Sequence, residues 1–361
     1  MTIKHKFKKG VLMATNYNYE ADQTKQEEQK LTQTEQPAET PDNQAQKKPK
    51  PSSWKRWLIL ILGVLIIAAG CITAYVLLTS KLSDDSAQLS TDPIFASEDF
   101  PRMDGSTATQ PLMLAFYKNF TGHTDAKISD FSWNKTHEAY VNLISGDVDL
   151  IVVTQPSEDE LALANKTGVV LDVTPVVHEA FVFYVSVDNP VDDLTTEQIQ
   201  GIYSGKITNW KEVGGQNKPI RAYQRQRNSG SQTGMLELVM KGIPLMEPES
   251  ENILVGSMAA IVGLVSGYNN ANDAIGYSYY YYVTTMYDNI DKNIADGIKL
   301  LSIDGIAPNV QNIKAEIYPF KTSYYIVTRD DADSETLRLK EAMLSPRGQN
   351  VALEAKYVPI R

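Results

Sequence analysis

Residues Arg225 to Thr233, Arg-Gln-Arg-Asn-Ser-Gly-Ser-Gln-Thr, gather the groups needed to hold a small oxyanion. Arg225 and Arg227 carry guanidinium forks, while Ser229, Gly230 and Ser231 supply hydroxyls and backbone N–H groups that donate. Met235 to Met240 reads as the helix that follows. A loop of small residues opening a helix is an anion cradle. The same residue types also make a plain polar turn ending in an N-cap. A second loop, Asp104-Gly105-Ser106-Thr107-Ala108-Thr109-Gln110-Pro111, runs directly into a helix from Leu112 and repeats the logic. Two such loops, over a hundred residues apart, favour one anion site over two unrelated caps.

Other chemistry is poorly supplied. His5, His123, His137 and His178 lack metal-ligand spacing, and neither a Gly-x-Ser-x-Gly elbow nor a P-loop is present, so the chain reads as no enzyme. His137, beside Thr136, is the one histidine worth locating. Cys71 is the only cysteine, which excludes an intramolecular disulfide and a thiolate metal site. No cofactor or metal is expected.

The elements that must position these loops alternate. Met113 to Tyr117 and Glu138 to Ile144 have helical apolar spacing, Val148 to Val153 is a buried strand, and Phe181 to Val187 is a strand rich in aromatic and β-branched residues. Thr336 to Leu344 reads as a helix, followed by Ser345-Pro346-Arg347-Gly348 and another helical run. This order predicts an α/β fold. The tyrosine run Tyr277, Tyr279, Tyr280, Tyr281, Tyr282 is read as packing near a strand end rather than a carbohydrate platform.

The 361-residue chain is not globular throughout. Residues 1–56 are Gln-, Glu-, Thr-, Lys- and Pro-rich beyond residue 13, and predict a disordered cytoplasmic tail. Residues 57–79 carry no charge and would span about 34 Å as a helix at roughly 1.5 Å per residue, against a hydrocarbon core of roughly 30 Å. Lys47, Lys48, Lys50, Lys55 and Arg56 before the segment place the N-terminus in the cytoplasm and the C-terminal part outside. The expectation is a single-pass protein of the cell membrane, facing the bacterial cell surface. Ile67-Ala68-Ala69-Gly70-Cys71 faintly resembles a lipoprotein cleavage site, but Ala68 and the mostly apolar residues after Cys71 favour a spanning helix. Met13 is an alternative start. Residues 80–93 read as a spacer and 94–361 as the globular domain. From residue 82 onward 37 Asp/Glu oppose 22 Lys/Arg, a balance that excludes a nucleic-acid footprint. An anion must then be held by a local, oriented site, because the domain's overall field repels it.

An ordered set of segments carries a specific likeness. It comprises residues 104–111, Ser-Gly-Asp-Val-Asp-Leu at 145–150, Ile-Tyr-Ser-Gly-Lys-Ile-Thr-Asn-Trp-Lys-Glu-Val-Gly-Gly at 202–215, Arg-Gln-Arg-Asn-Ser-Gly-Ser at 225–231 and Ala-Ile-Gly-Tyr at 274–277. Tyr-Pro-Phe at 318–320, Ser-Pro-Arg-Gly-Gln at 345–349 and Tyr-Val-Pro-Ile at 357–360 complete it. In this order the domain resembles the phosphate-binding proteins of bacterial ABC importers, a branch of the two-lobed periplasmic binding protein superfamily. The resemblance implies two α/β lobes joined by two crossover strands, near 177–185 and 317–325, with the ligand in the cleft between them. Lobe one would be about 94–180 and 318–361, and lobe two about 181–317.

Carried over by position, the resemblance implies ligand contacts from Ser106, Thr107, Ala108 and Thr109, from Thr136 or a neighbour, and from Arg225, Ser229, Gly230 and Ser231. Arg227 is an extra basic residue, read as a solvated surface arginine. The run Val153-Thr154-Gln155-Pro156 departs from the family pattern, which often has Ser-Asp-x-Pro there, with the Asp accepting a hydrogen bond from protonated phosphate. Thr154 replaces that acceptor, and a hydroxyl relaxes the need for a ligand proton. The implied function is capture of inorganic phosphate or a similar oxyanion for delivery to ABC permease subunits. A sensor or interaction module that kept the fold without transport is the alternative, suggested by the tail and by Thr154.

Overall fold

The computed structural model describes residues 70, 73, 92–248, 254–266, 273–286 and 295–361. The expected tail at 1–56, nearly all of the expected transmembrane segment at 57–79 and most of the spacer lie outside the described residues. Among the described residues no helix is long and apolar enough to cross a membrane. Residues Thr79–Arg361 form one compact unit, and the features below belong to it.

Twelve strands are described. They are β1 (Met103–Gly105), β2 (Leu150–Val153), β3 (Leu171–Ser186), β4 (Asp193–Leu194), β5 (Arg221–Ala222), β6 (Gln224–Arg225), β7 (Leu254–Val255), β8 (Ala274–Tyr279), β9 (Ile298–Leu300), β10 (Ser302–Ile303), β11 (Lys321–Arg329) and β12 (Val358–Pro359). The main sheet runs β1-β2-β11-β3-β8-β5, with β9 and β12 also paired to β3. The short pairs β4 with β10 and β6 with β7 lie outside it. Helices alternate with the strands: α1 (Gln110–Thr121), α2 (Lys135–Ser145), α3 (Glu158–Thr167), α4 (Thr196–Tyr203), α5 (Gly230–Gly234), α6 (Met258–Val265), α7 (Val310–Lys314), α8 (Ser334–Leu344) and α9 (Pro346–Glu354). The helix expected over Met235 to Met240 continues α5 as wider π turns.

Strand β3 divides the sheet into two halves. Its residues Leu171 to Ala180 pair antiparallel with β11, and Phe181 to Val185 pair antiparallel with β8. Partners change between adjacent residues, so the strand leaves one half-sheet and enters the other without a loop. The sequence of β3 records the change. Its first half mixes exposed and covered positions, whereas every residue from Glu179 to Ser186 is buried, as a strand covered on both faces requires. The β3–β11 register slips at Tyr324/Tyr325, opposite Pro175, which has no N–H for the ladder. The result is a mixed α/β, two-lobed arrangement.

The tyrosine run packs as expected from its position. Tyr277 and Tyr279 lie on β8 with their rings 5.3 and 5.5 Å from Phe181, and Tyr203 and Phe183 close the same cluster. Such rings bury large apolar area and leave each hydroxyl for a polar partner. Tyr277 and Tyr279 aim theirs at the loop that opens α5.

Candidate functional site

The loop between β1 and α1 is set by a buried carboxylate. Asp104 is fully buried and accepts from Gly105 N at 2.7 Å, Asn134 N at 2.9 Å, Asn134 Nδ2 at 2.8 Å and Asn142 Nδ2 at 3.0 Å. Four donors satisfy its lone pairs, so the charge is held without a cation. The same bonds tie β1 to the start of α2. Gly105 has no room for a side chain: a Cβ would meet Met113 Sδ at 2.6 Å and the Val152 carbonyl at 2.8 Å. Ser106, Thr107 and Ala108 then turn at the N-terminus of α1 and line a cavity. Thr109 does not line it. Its hydroxyl lies 2.6 Å from the Val152 carbonyl and 3.0 Å from that of Ser106, so it ties the loop to β2 from behind.

Two threonines continue this wall. Thr136 stands in the first turn of α2, and Thr154 directly follows β2. Tyr140 pins Thr154 by donating to its carbonyl at 2.8 Å. Thr154 is 2% exposed, and its Oγ1 has no partner in full hydrogen-bond geometry beyond a loose contact with the Tyr279 hydroxyl. The Tyr279 hydroxyl donates to the Gly230 carbonyl at 2.8 Å, and its oxygen can only accept from Thr154. A buried hydroxyl so loosely held is costly in a native fold, and here it borders a cavity.

The opposite wall is the Arg225 to Ser231 loop. Arg225 is 7% exposed; Nε donates to the Val255 carbonyl at 2.9 Å, Nη1 to Ser231 Oγ at 3.1 Å and Nη2 to the Gly256 carbonyl at 3.2 Å. Its backbone N–H is shared by Gln232 Oε1 and the Tyr277 hydroxyl. None of these partners is a carboxylate. Burial pulls the Arg225 pKa below the usual arginine value, with nearby tyrosines opposing the shift. A buried guanidinium still carries its charge and calls for an anion. Ser229 caps α5 by accepting from Gln232 N at 3.2 Å. Ser231 Oγ accepts from Arg225, which leaves its own hydrogen to donate.

Gly230 lets the walls meet. A Cβ there would stand 2.6 Å from Thr154 Oγ1 and 2.7 Å from Thr136 Oγ1. Only a residue without a side chain brings the α5 N-terminus this close to both hydroxyls.

The cavity enclosed between the walls measures about 460 Å³. Helix starts at Thr107, Lys135 and Gly230 border it, and their free N–H groups and dipoles favour negative charge. Of the residues proposed from sequence, Ser106, Thr107, Ala108, Thr136, Thr154, Arg225, Ser229, Gly230 and Ser231 are brought together around it, and Thr109 is not. Arg227, read as a solvated arginine, is 79% exposed but borders the cavity mouth and forks onto Asp159 of α3 at 2.8 and 2.9 Å.

Sequence reasoning passed over Gly256 and Ser257, which border the cavity at the start of α6. The signal was present: a Gly-Ser pair before the apolar run Met258-Ala259-Ala260-Ile261 repeats the small-residue loop. His137 also lines the cavity, with Nδ1 3.0 Å from the fully buried Glu160 carboxylate, which in turn accepts from Ser157 N at 2.7 Å. Among the described residues no cluster of three or more His, Cys, Asp or Glu is placed to hold a metal ion.

Comparison with known proteins gives a consistent result. A family model described as "PBP superfamily domain" matches residues 96–343. The phosphate-binding protein PstS of Bacillus subtilis is 25% identical over 311 residues, covering 84% of this chain and 93% of that protein. PstS of Staphylococcus saprophyticus is 30% identical over 162 residues, 43% of this chain and 50% of that protein. Two solved structures share the fold. A putative phosphate ABC transporter substrate-binding protein with bound phosphate from Clostridium perfringens aligns at a TM-score of 0.57 with 24% identity, over 72% of this chain and 99% of that one. An ABC-type phosphate transport receptor from Vibrio cholerae aligns at 0.53 with 22% identity, again over 72% and 99%.

Proposed function

Because the chain belongs to the PBP superfamily, we propose that it captures inorganic phosphate or a similar oxyanion in the cleft between its lobes and delivers it to an ABC-type importer. Its relatives are solute-binding proteins, which carry ligands rather than transform them. The observation that carries the reading is Arg225, a buried cation with no carboxylate among its partners, facing Thr136, Thr154 and the Ser106 loop. Likeness to PstS proteins supports phosphate as the ligand. In this reading lobe one is about 94–180 and 318–361, lobe two is about 181–317, and ligand closes them by hinge motion. Titration calorimetry of the full-length chain with phosphate tests it. Saturable heat and a raised melting temperature are expected, and silence in both at millimolar phosphate overturns the reading.

The charge-free stretch at 57–79 supports a single transmembrane helix, with the N-terminus cytoplasmic and the binding domain extracytoplasmic. Retention in the membrane pellet after alkaline carbonate washing is expected, and release into the supernatant contradicts it. A sensor or interaction role is the second reading, favoured by the 56-residue segment ahead of the helix. Adjacent permease and ATPase genes would favour transport, and their absence a receptor.

A further inference from the structure

We propose that the cleft holds a tetrahedral oxyanion without requiring it to carry a proton, so that sulfate is bound alongside phosphate. The inference rests on the anion-binding reading above and narrows what that site selects.

The cavity's buried side chains with polar atoms are Arg225, which only donates, and the hydroxyls of Ser106, Thr136, Thr154, Ser231, Tyr279 and Tyr282. A hydroxyl can donate to a bare oxygen or accept from a protonated one, although Ser231 already accepts from Arg225 and Ser106 is bonded to Thr109. A buried carboxylate in their place would behave differently: it accepts from a protonated oxygen but repels a bare one. Among the described residues the cavity lining holds a single carboxylate, Glu138, and it is exposed in the first turn of α2. Glu160 is buried nearby but does not line the cavity, and its oxygens are engaged by His137 and Ser157 N. Nothing buried in the site therefore demands a ligand proton.

Thr154 makes the point sharpest. Its Oγ1 is buried and at most loosely held by the Tyr279 hydroxyl, so a ligand oxygen would complete it in either protonation state. The absence of a side chain at Gly230 keeps the space beside both Thr154 and Thr136 hydroxyls open. The positive character comes from the buried Arg225 guanidinium, with exposed Lys135 and Arg227 also on the lining, and these respond to ligand charge and not to its protonation.

Calorimetry of the full-length chain at neutral pH, with sodium phosphate and sodium sulfate in separate titrations, is the test. The two dissociation constants are expected to agree within about tenfold. Thr154→Asp should weaken sulfate by about a hundredfold more than phosphate, because a fixed negative charge then faces an anion with no proton to offer. Thr154→Val, close in shape, should weaken both anions alike. Phosphate binding with sulfate a hundredfold or more weaker in the wild type would overturn the inference and leave the phosphate reading standing. An equal loss of both anions in a folded Thr154→Asp chain would also overturn it. Binding of neither anion would instead remove the anion-site reading itself.

Discussion

Gly230→Ala would separate the lining of the cleft from the stability of the fold. The added Cβ would lie 2.6 Å from Thr154 Oγ1 and 2.7 Å from Thr136 Oγ1, where ordinary contact begins at 3.4 Å. Turning either threonine puts its methyl or its Hβ at that place, and the second turn takes the hydroxyl off the wall, so either a hydroxyl is lost to the ligand or the walls part by about 0.8 Å. A ligand bond of about 2.8 Å to one wall would stretch to about 3.6 Å and cease to be a hydrogen bond. Losing two bonds to a charged ligand, at about 1.5–3 kcal/mol each, weakens binding by about a hundredfold or more. The apo fold should barely notice. Gly230 is not among the positive-φ residues and lies in the first turn of α5, where Ala is at least as good by up to about 1 kcal/mol. Calorimetry gives the affinity and denaturant unfolding gives the stability. Affinity within threefold of wild type would refute this geometry, and so would an apo fold weakened as much as the binding.

Other perturbations test separate parts. Arg225→Lys should abolish measurable phosphate binding and lower stability by about 1–3 kcal/mol, because an ammonium cannot satisfy the Val255 and Gly256 carbonyls and Ser231 together; calorimetry and urea unfolding read the two effects. Glu179, at the point where β3 changes half-sheets, has its pKa raised from 4.5 to about 7 by burial, against the N–H groups of Ala180 and Tyr281. The folded form then binds the proton more tightly than the unfolded form, so stability is greatest below about pH 4.5, falls towards about pH 7 and is level above. Glu179→Gln should flatten that slope and raise the melting temperature at about pH 8 by about 4 °C or more. Arg227→Ala removes an exposed pair with Asp159 and should change phosphate affinity by less than about threefold, while reducing its dependence on salt.

The local features of the fold were legible because they are written in short range. Helices α1, α2 and α8 and the strands over 150–153 and from 181 onward follow from apolar spacing, and Gly122 and Gly146 end α1 and α2 in left-handed turns. The start of β3 was missed: the resemblance implied a crossover strand only from about 177, Pro175 breaks the alternation, and pairing with β11 makes Leu171 to Val176 part of the strand. Within the site, the two hydroxyl loops could be read, but the direction of each hydroxyl could not. Thr109 and Ser106 are equivalent as residue types, and the nearby Val152 carbonyl turns one inward. Asp104 was invisible as an organiser because its partners Asn134 and Asn142 lie 30 and 38 residues away. The pairing of Arg227 with Asp159, 68 residues earlier, depends on the closeness of a loop to the first turn of α3, which no local pattern encodes.

A crystal structure of the protein with phosphate addresses the two-walled cradle most directly. One anion is expected in the cavity, within about 3.2 Å of both an Arg225 nitrogen and the Thr154 hydroxyl, with N–H groups of the Ser106 to Ala108 loop on its other side. An anion held by one wall alone, or lying elsewhere and leaving Thr154 Oγ1 without a ligand oxygen, would contradict it.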